Sequence, residues 1–176
     1  MSSPKPDQRR LFLALWPSVA EQEQTAKLVE AIPGGRRIKP ASIHLTLVFL
    51  GATDAERMRC YLEALQGIEV PSLALLLDRL GYWPKPRILW LGPSRTPPAL
   101  MTLVAELNRR LAACGFAPET RPFRAHITLT RNFPGPLLVG QPVEPISWSI
   151  SQFALIESTN PEDGSRYQVL NRWPIG

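Results

Sequence analysis

Residues 42–50 read Ser-Ile-His-Leu-Thr-Leu-Val-Phe-Leu, an alternation of polar and apolar side chains that is typical of a β-strand with one face in a core. Because successive side chains of a strand point to opposite faces, we predict that His44, Thr46 and Val48 share one face. The predicted core face then carries the apolar residues Ile43, Leu45, Leu47 and Phe49.

The same signature returns in residues 124–131, which read Arg-Ala-His-Ile-Thr-Leu-Thr-Arg. The chain contains only two histidines, and each begins a His-x-Thr-Leu tetrapeptide, at 44–47 and at 126–129. A single histidine on a strand is more often a hydrogen-bonded structural residue than a catalyst. Histidine, however, is the side chain whose ordinary pKa lies nearest neutrality, so two of them in matched settings favour a paired acid and base.

The surrounding pattern predicts that one unit, a strand, a helix and a His-x-Thr strand, occurs twice. We therefore predict an α+β fold of two similar lobes, each with an antiparallel sheet covered by helices, and a polar groove between them. The first unit comprises a strand at 10–16, a helix at 18–32 that opens with a capping box, and the strand at 42–50. The second unit comprises a strand at 87–91, a helix at 97–115 and the strand at 124–131.

The remaining segments predict further strands and one more helix. A helix is expected from Thr53-Asp54 onward. A strand at 73–80 is expected to join the strand at 87–91 through Gly81-Tyr82-Trp83-Pro84. Strands at 149–157 and 167–173, on either side of a polar turn at 160–164, predict a closing hairpin.

Length and composition limit the class of protein. With 176 residues and 44% hydrophobic content, the chain suits a single domain over 1–176. Its apolar runs are too short for a membrane span, so we expect a cytoplasmic monomer without a membrane partner. Cys60 and Cys114 lack any CxxC spacing and are expected to be free buried thiols.

The charge distribution favours an anionic ligand. The formal net charge is +5, which fits attraction to a polyanion without demanding it. Basic residues gather beside both tetrapeptides: Arg36, Arg37 and Lys39 precede the first, and Arg121, Arg124 and Arg131 bracket the second.

The histidines and threonines together predict a phosphate site. Within each motif the two side chains lie roughly 6.5 to 7 Å apart along the strand, so both can reach a ligand over that face. Two such strands side by side would surround one phosphodiester with two imidazoles and two hydroxyls. Arg131 falls on the opposite parity of a regular strand, and it reaches this face only if the strand end twists or bulges. No cluster of metal-binding residues accompanies either motif, so we expect no metal ion and no cofactor.

The chain resembles the 2H phosphoesterase superfamily, and within it the bacterial RNA 2′,3′-cyclic phosphodiesterase branch, also called 2′-5′ RNA ligase-like. Its segments resemble that branch at 10–15, at 38–40 leading to 44–51, at 88–92, at 121–131, and at 153–158 before Gly164 and Tyr167. The resemblance implies a bilobal fold and metal-independent opening of an RNA-terminal 2′,3′-cyclic phosphate to a 2′-phosphomonoester, with the reverse joining as a further activity. It also implies site residues: His44 as proton donor, His126 as proton acceptor, and Thr46, Thr128 and Arg131 as substrate-binding residues.

Two alternatives remain open at this point. The same residues would serve a phosphodiesterase acting on 2′-5′ oligonucleotides or small nucleotide cyclic phosphates. The chain could instead be a non-catalytic RNA-binding module, with bases stacked on Tyr82, Trp83 or Phe123. The residues by themselves do not decide which histidine is the acid and which the base.

Overall fold

The computed structural model describes residues 7–135, 139–141, 143–159 and 166–176. Within these ranges the chain forms strands and helices in the order β1 (Arg9–Leu15), α1 (Val19–Ala31), β2 (Arg36–Arg37), a 3₁₀ turn (Pro40–Ser42), β3 (Leu45–Thr53), α2 (Ala55–Ala64), β4 (Leu73–Leu77), β5 (Arg79–Trp83), β6 (Ile88–Gly92), α3 (Pro98–Ala112), β7 (Ile127–Arg131), β8 (Ile146–Ile150), β9 (Gln152–Thr159) and β10 (Arg166–Pro174). The predicted α+β class is confirmed.

The strands of both predicted lobes join into one antiparallel sheet in the order β10-β9-β1-β3-β7-β6-β5. The lobes meet where β3 pairs with β7, and that contact consists of a single residue pair, Leu45 with Ile127. The short strand β2 pairs with β7 as well, and β4 pairs with β8 in a separate two-stranded sheet. The two His-x-Thr strands are therefore direct neighbours at the centre of the molecule.

The larger of two hydrophobic clusters lies on one face of the large sheet, and a small one, formed by Phe12, Ala14, Ala154 and Ile156, lies on the other. In the larger cluster, Leu11, Leu13 and Leu15 of β1 pack with apolar side chains from all three helices and from the small sheet. Helix α1 begins with the predicted capping box, in which Ser18 accepts from the Glu21 backbone N–H and the Glu21 carboxylate accepts from Ser18. The helices thus cover the face of the larger cluster, and the opposite face is left for the groove.

Each His-x-Thr strand contains a β-bulge directly after its threonine. In β3 the pairing with β1 skips Leu47, and in β7 the pairing with β6 skips Leu129. A bulge inserts one unpaired residue and thereby reverses the alternation beyond it. The prediction for the end of β3 was therefore wrong: Val48 is buried in the core, whereas Phe49 is 39% exposed.

The sequence predictions for the closing hairpin and for the connection at Gly81 have opposite outcomes. The closing hairpin is confirmed by the pairing of β9 with β10, while its predicted turn at 160–164 lies outside the described residues. The predicted connection at Gly81 was wrong, because this residue lies inside β5. A Cβ atom there would come within 1.9 Å of the Trp90 ring, so glycine is required by packing and not by a turn.

The two cysteines are not free thiols as predicted. Cys60 of α2 and Cys114, just beyond the end of α3, form a disulfide with their Cα atoms 5.8 Å apart. The prediction rested on the absence of a local motif, whereas the packing of α2 against α3 brings residues 54 positions apart into bonding distance. No helix of the described residues is long and apolar enough to cross a membrane.

Candidate active site

His44 is held by the turn that precedes β3. The 3₁₀ turn places the carbonyl oxygen of Ser42 2.7 Å from Nδ1 of His44. Because a carbonyl oxygen only accepts hydrogen bonds, Nδ1 must carry the proton and donate it. The other ring nitrogen, Nε2, is thereby left free to exchange a proton with a ligand.

His126 is held in the same way immediately before β7. Its Nδ1 donates to the carbonyl oxygen of Arg124 over 2.8 Å, again two residues earlier in the chain. The two imidazoles thus share one tautomer when they are neutral. This equivalence follows from the repeated local geometry, since each histidine stands just before the first residue of its strand.

All five residues that the sequence predicted for the site line one pocket of about 260 Å³: His44, Thr46, His126, Thr128 and Arg131. Four further lining residues were not predicted: Ile38, Ser42, Ile88 and Tyr167. Ile38, Ile88 and Tyr167 fall in segments that carry the family resemblance, but no pattern in the sequence showed that these segments meet at the histidines.

The bulge in β7 explains why Arg131 reaches this pocket. Beyond the skipped Leu129, Thr130 pairs with Leu89 and is fully buried on the core side. The next residue, Arg131, then falls on the groove side with His126 and Thr128. The equivalent residue of the first motif, five positions after its histidine, is Phe49.

Aromatic rings surround the two histidines unequally. The indole of Trp16 stacks on His44 at 5.4 Å with an interplanar angle of 11°, and Phe12 and Tyr167 lie within 5.0 and 5.1 Å of the same ring. His126 lies 4.5 Å from the Trp83 ring and 6.5 Å from the Trp90 ring, both in T-shaped arrangements. The first imidazole is therefore enclosed by three rings, and the second is more open.

These surroundings disfavour the charged form of both imidazoles. Burial is the largest cause, and it lowers the pKa of His44 from 6.5 to about 4, with smaller contributions from the positive charge of Arg131 and from His126. Burial, followed by Arg131, also lowers the pKa of His126. The hydrogen bonds to Ser42 and Arg124 act in the opposite direction but are outweighed. These surroundings therefore favour the neutral form of both imidazoles at pH 7.

The aromatic residues predicted for base stacking are mostly committed to other contacts. Tyr82 and Phe123 pack against the core, and the Tyr82 hydroxyl is 3.4 Å from the Phe133 carbonyl oxygen, to which it donates. Trp83 alone of the three touches a site residue, His126. In the described ranges, no group of three or more potential ligand side chains is arranged to hold a metal ion.

The fold and the site together define a class: phosphoesterases with two His-x-Thr motifs, one in each lobe, facing a common groove. The chain belongs to the LigT-like phosphoesterase family, whose pattern matches it twice, at residues 15–90 and 91–167. The double match corresponds to the two lobes, and it confirms the resemblance to 2H phosphoesterases.

Individual relatives agree with this membership. The chain is 34% identical over 142 residues to the RNA 2′,3′-cyclic phosphodiesterase of Escherichia coli K12, covering 80% of each chain. It is 29% identical to the protein of that name from Thermotoga maritima, covering 92% of each. Among solved structures, Escherichia coli LigT complexed with 3′-AMP superimposes with a TM-score of 0.87 at 31% identity, over 96% of this chain and 98% of that one, and the same protein has been crystallised with ATP.

Proposed function

We propose that this protein hydrolyses RNA-terminal 2′,3′-cyclic phosphates to 2′-phosphomonoesters without a metal ion. The observation that carries the proposal is the convergence of two histidines on one pocket, each with Nδ1 bonded to a backbone carbonyl and Nε2 free. A second support is the name RNA 2′,3′-cyclic phosphodiesterase, which relatives from Escherichia coli and Thermotoga maritima share.

In the proposed reaction, Nε2 of His126 takes a proton from water while the water oxygen forms a bond to phosphorus. The bond from phosphorus to the ribose 3′ oxygen breaks, and protonated His44 gives its Nε2 proton to that oxygen. The products are a 2′-phosphomonoester and a free 3′ hydroxyl, and the proton on His126 returns through solvent to His44. Each of the two proton transfers typically contributes about 10²- to 10⁴-fold to the rate.

Three side chains are proposed to hold the phosphate. The hydroxyls of Thr46 and Thr128 donate to its non-bridging oxygens, and Arg131 adds a charge-assisted fork that strengthens as negative charge builds in the transition state. Arg131 lowers the pKa of both histidines in the free pocket. An anionic phosphate between these groups opposes that effect, because a nearby negative charge favours the imidazolium form. Binding of the substrate therefore supplies the condition under which one histidine holds a proton.

The assignment of His44 as donor and His126 as acceptor follows the family resemblance. We also propose that the two lobes, residues 1–176, act as one unit, since each contributes a single histidine. We also propose a cytoplasmic location and a monomeric state. For the location, one of the arguments from the sequence, the expectation of free thiols, no longer holds. Disulfides are rare in a reducing cytosol, so the bond between Cys60 and Cys114 removes the support that free thiols would have given.

The test is incubation with an oligoribonucleotide that ends in a 2′,3′-cyclic phosphate, followed by identification of the product. The proposal expects a 2′-phosphate, activity that persists in EDTA, and loss of turnover by orders of magnitude in His44→Ala and His126→Ala while the product still binds. Thr102→Val, on the exposed side of α3, is the control for Thr46→Val and Thr128→Val.

Each alternative gives a different result. A 3′-phosphate product, or activity that EDTA abolishes and a divalent ion restores, contradicts the proposed mechanism. Turnover of 2′-5′ oligonucleotides or of nucleotide cyclic phosphates in preference to RNA ends identifies the other phosphodiesterases. Binding of RNA without any turnover identifies the non-catalytic module. Formation of a 2′-5′ bond from a cyclic phosphate end and a 5′ hydroxyl end, in which the hydroxyl takes the place of water, tests the joining activity.

A further inference from the structure

A second arginine lies beside the pocket and takes no part in the reaction described above. Strand β2 pairs with β7 in a register that sets Arg36 opposite Arg131. Directly opposed residues of an antiparallel pair project from the same face of the sheet, with Cβ atoms roughly 4.5 to 5.5 Å apart. Since Arg131 lines the pocket, Arg36 stands on the groove side next to it.

The neighbours of Arg36 confirm which way it faces. Ile38, two positions further on and therefore on the same side of an extended chain, lines the pocket. Arg37, between them, turns to the helix side, where its guanidinium donates to the carbonyl oxygens of Glu30 and Ile32 at the end of α1. Arg37 is thus engaged in the fold, whereas Arg36 is exposed at the edge of the groove.

The register that places Arg36 depends on a close backbone approach. Gly35 adopts a φ of +73°, and a Cβ atom there would lie 3.0 Å from both the Arg131 carbonyl oxygen and the Thr130 hydroxyl oxygen. A side chain at this position would be strained in conformation and crowded by β7. The glycine lets β2 approach β7 directly, so the position of Arg36 is built into the fold.

Two adjacent arginine side chains favour the binding of an anion. Like charges directly opposite each other on neighbouring strands repel and destabilise the pair. Neither Arg36 nor Arg131 forms an ion pair with an acidic side chain within residues 7–135, 139–141, 143–159 and 166–176. A bound anion at this edge would remove the repulsion and gain charge-assisted hydrogen bonds.

Arg36 lies too far out to serve the reacting phosphate. It does not line the pocket, and its partner Arg131 is the site residue farthest along β7 from His126. Because β2 pairs with β7 beyond the end of the β3 pairing, Arg36 continues the line of polar groups out of the groove. This is the direction in which a chain attached to the reacting nucleotide can leave.

We propose that Arg36 binds the next phosphodiester of the RNA, on the 5′ side of the terminal nucleotide whose cyclic phosphate occupies the pocket. Arg36 is then a specificity-determining residue that favours RNA ends over free nucleoside cyclic phosphates. This inference rests on the proposed function and extends it to the second phosphate of the substrate.

The experiment compares two substrates: uridine 2′,3′-cyclic phosphate, and a dinucleotide that ends in the same group and adds one internal phosphodiester. For the wild type and each variant, the measured quantity is the ratio of kcat/KM for the dinucleotide to kcat/KM for the mononucleotide. A hydrogen bond to a charged group supports a loss in this ratio of roughly 10- to 100-fold in Arg36→Ala. Arg36→Lys keeps the charge and is expected to retain most of the ratio.

Two other arginines provide matched controls. Arg59→Ala removes one exposed arginine from α2, on the opposite face of the sheet, and leaves the ratio unchanged. Arg131→Ala lowers kcat/KM for both substrates together, because both carry the reacting phosphate. With a longer oligoribonucleotide, Arg36→Ala also reduces the slope of log kcat/KM against log salt by about 0.7, the value for one phosphate contact on a single strand.

An unchanged ratio in Arg36→Ala overturns the inference, and so does an equal loss on both substrates, which would place Arg36 at the reacting phosphate. Direct binding separates this inference from the proposed function. If the wild type turns over neither substrate, the proposed function fails. The affinity for a dinucleotide 2′-phosphate relative to a nucleoside 2′-phosphate then decides whether Arg36 contacts the second phosphate. Loss of that preference in Arg36→Ala supports the contact, and an unaltered preference refutes it.

Discussion

Replacement of Trp16 by alanine is expected to raise the pKa of His44 and to leave His126 unchanged. The indole stacks on the His44 imidazole and shields it from water, and burial is the largest cause of its low pKa. Removal of the ring admits water to one face, so the imidazolium form becomes less unfavourable.

The size of the change follows from the number of rings. Full exposure would return the pKa from about 4 to 6.5. Trp16 is one of three aromatic side chains in contact with His44, together with Phe12 and Tyr167, so its loss restores only part of the hydration. We expect a rise of about one pKa unit, equivalent to about 1.4 kcal/mol.

The chain suits an NMR titration because it has only two histidines, which give two separate imidazole signals. His126 is the internal control, since its aromatic contacts are Trp83 and Trp90 and not Trp16. Trp16→Phe keeps a ring over the imidazole and should leave the titration of His44 close to that of the wild type. Trp83→Ala should reverse the pattern and raise the pKa of His126 alone.

Two results would refute this reasoning. If His44 of the wild type titrates near 6.5, its enclosure does not exclude water as the structure indicates. If Trp16→Ala raises the pKa of both histidines equally, the effect comes from a general opening of the groove and not from the stacked ring.

Three further outcomes are expected. Because the pKa of His44 is lower in the folded than in the unfolded chain, the unfolded state binds more protons between pH 6.5 and about 4. The free energy of unfolding should therefore fall on acidification across that interval, by on the order of 3 kcal/mol, and His44→Asn should remove this part of the slope in urea titrations. The loop closed by Cys60 and Cys114 spans 54 residues, so loss of the disulfide in the double serine variant should cost about 4 kcal/mol, and equal urea midpoints with and without reductant would contradict the bond. Gly81→Ala should lower the melting temperature through a clash with Trp90, by an amount that corresponds to roughly 1 to 3 kcal/mol, whereas a melting temperature equal to that of the wild type would show that the ring moves freely.

The central strands and the site could be predicted because their signal is local. Alternation fixes which residues share a face, and the capping box fixes where α1 begins. His44, Thr46, His126 and Thr128 lie before the bulges, so their parity was predicted and they meet in one pocket. The resemblance to a family added the expectation that Arg131 joins them.

The remainder depends on contacts between distant segments. The bulges at Leu47 and Leu129 arise from pairing with β1 and β6. The residues of β3 and β7 alone do not indicate them. In the sequence, Gly81 is typical of a turn, and only its contact with the Trp90 ring in the folded chain shows why a glycine is needed there. The disulfide likewise depends on the packing of two helices.

The two bulges also affect the orientation in which an anionic chain can lie along the groove. A twofold repeat with identical residues at every equivalent position would present two indistinguishable ends, and an anionic chain could lie along it either way with equal free energy. The bulges bring the fifth residue after each histidine onto the groove side, where one repeat has Phe49 and the other Arg131. This difference makes the two orientations of a charged strand unequal in energy, so the repeated motif has a defined polarity.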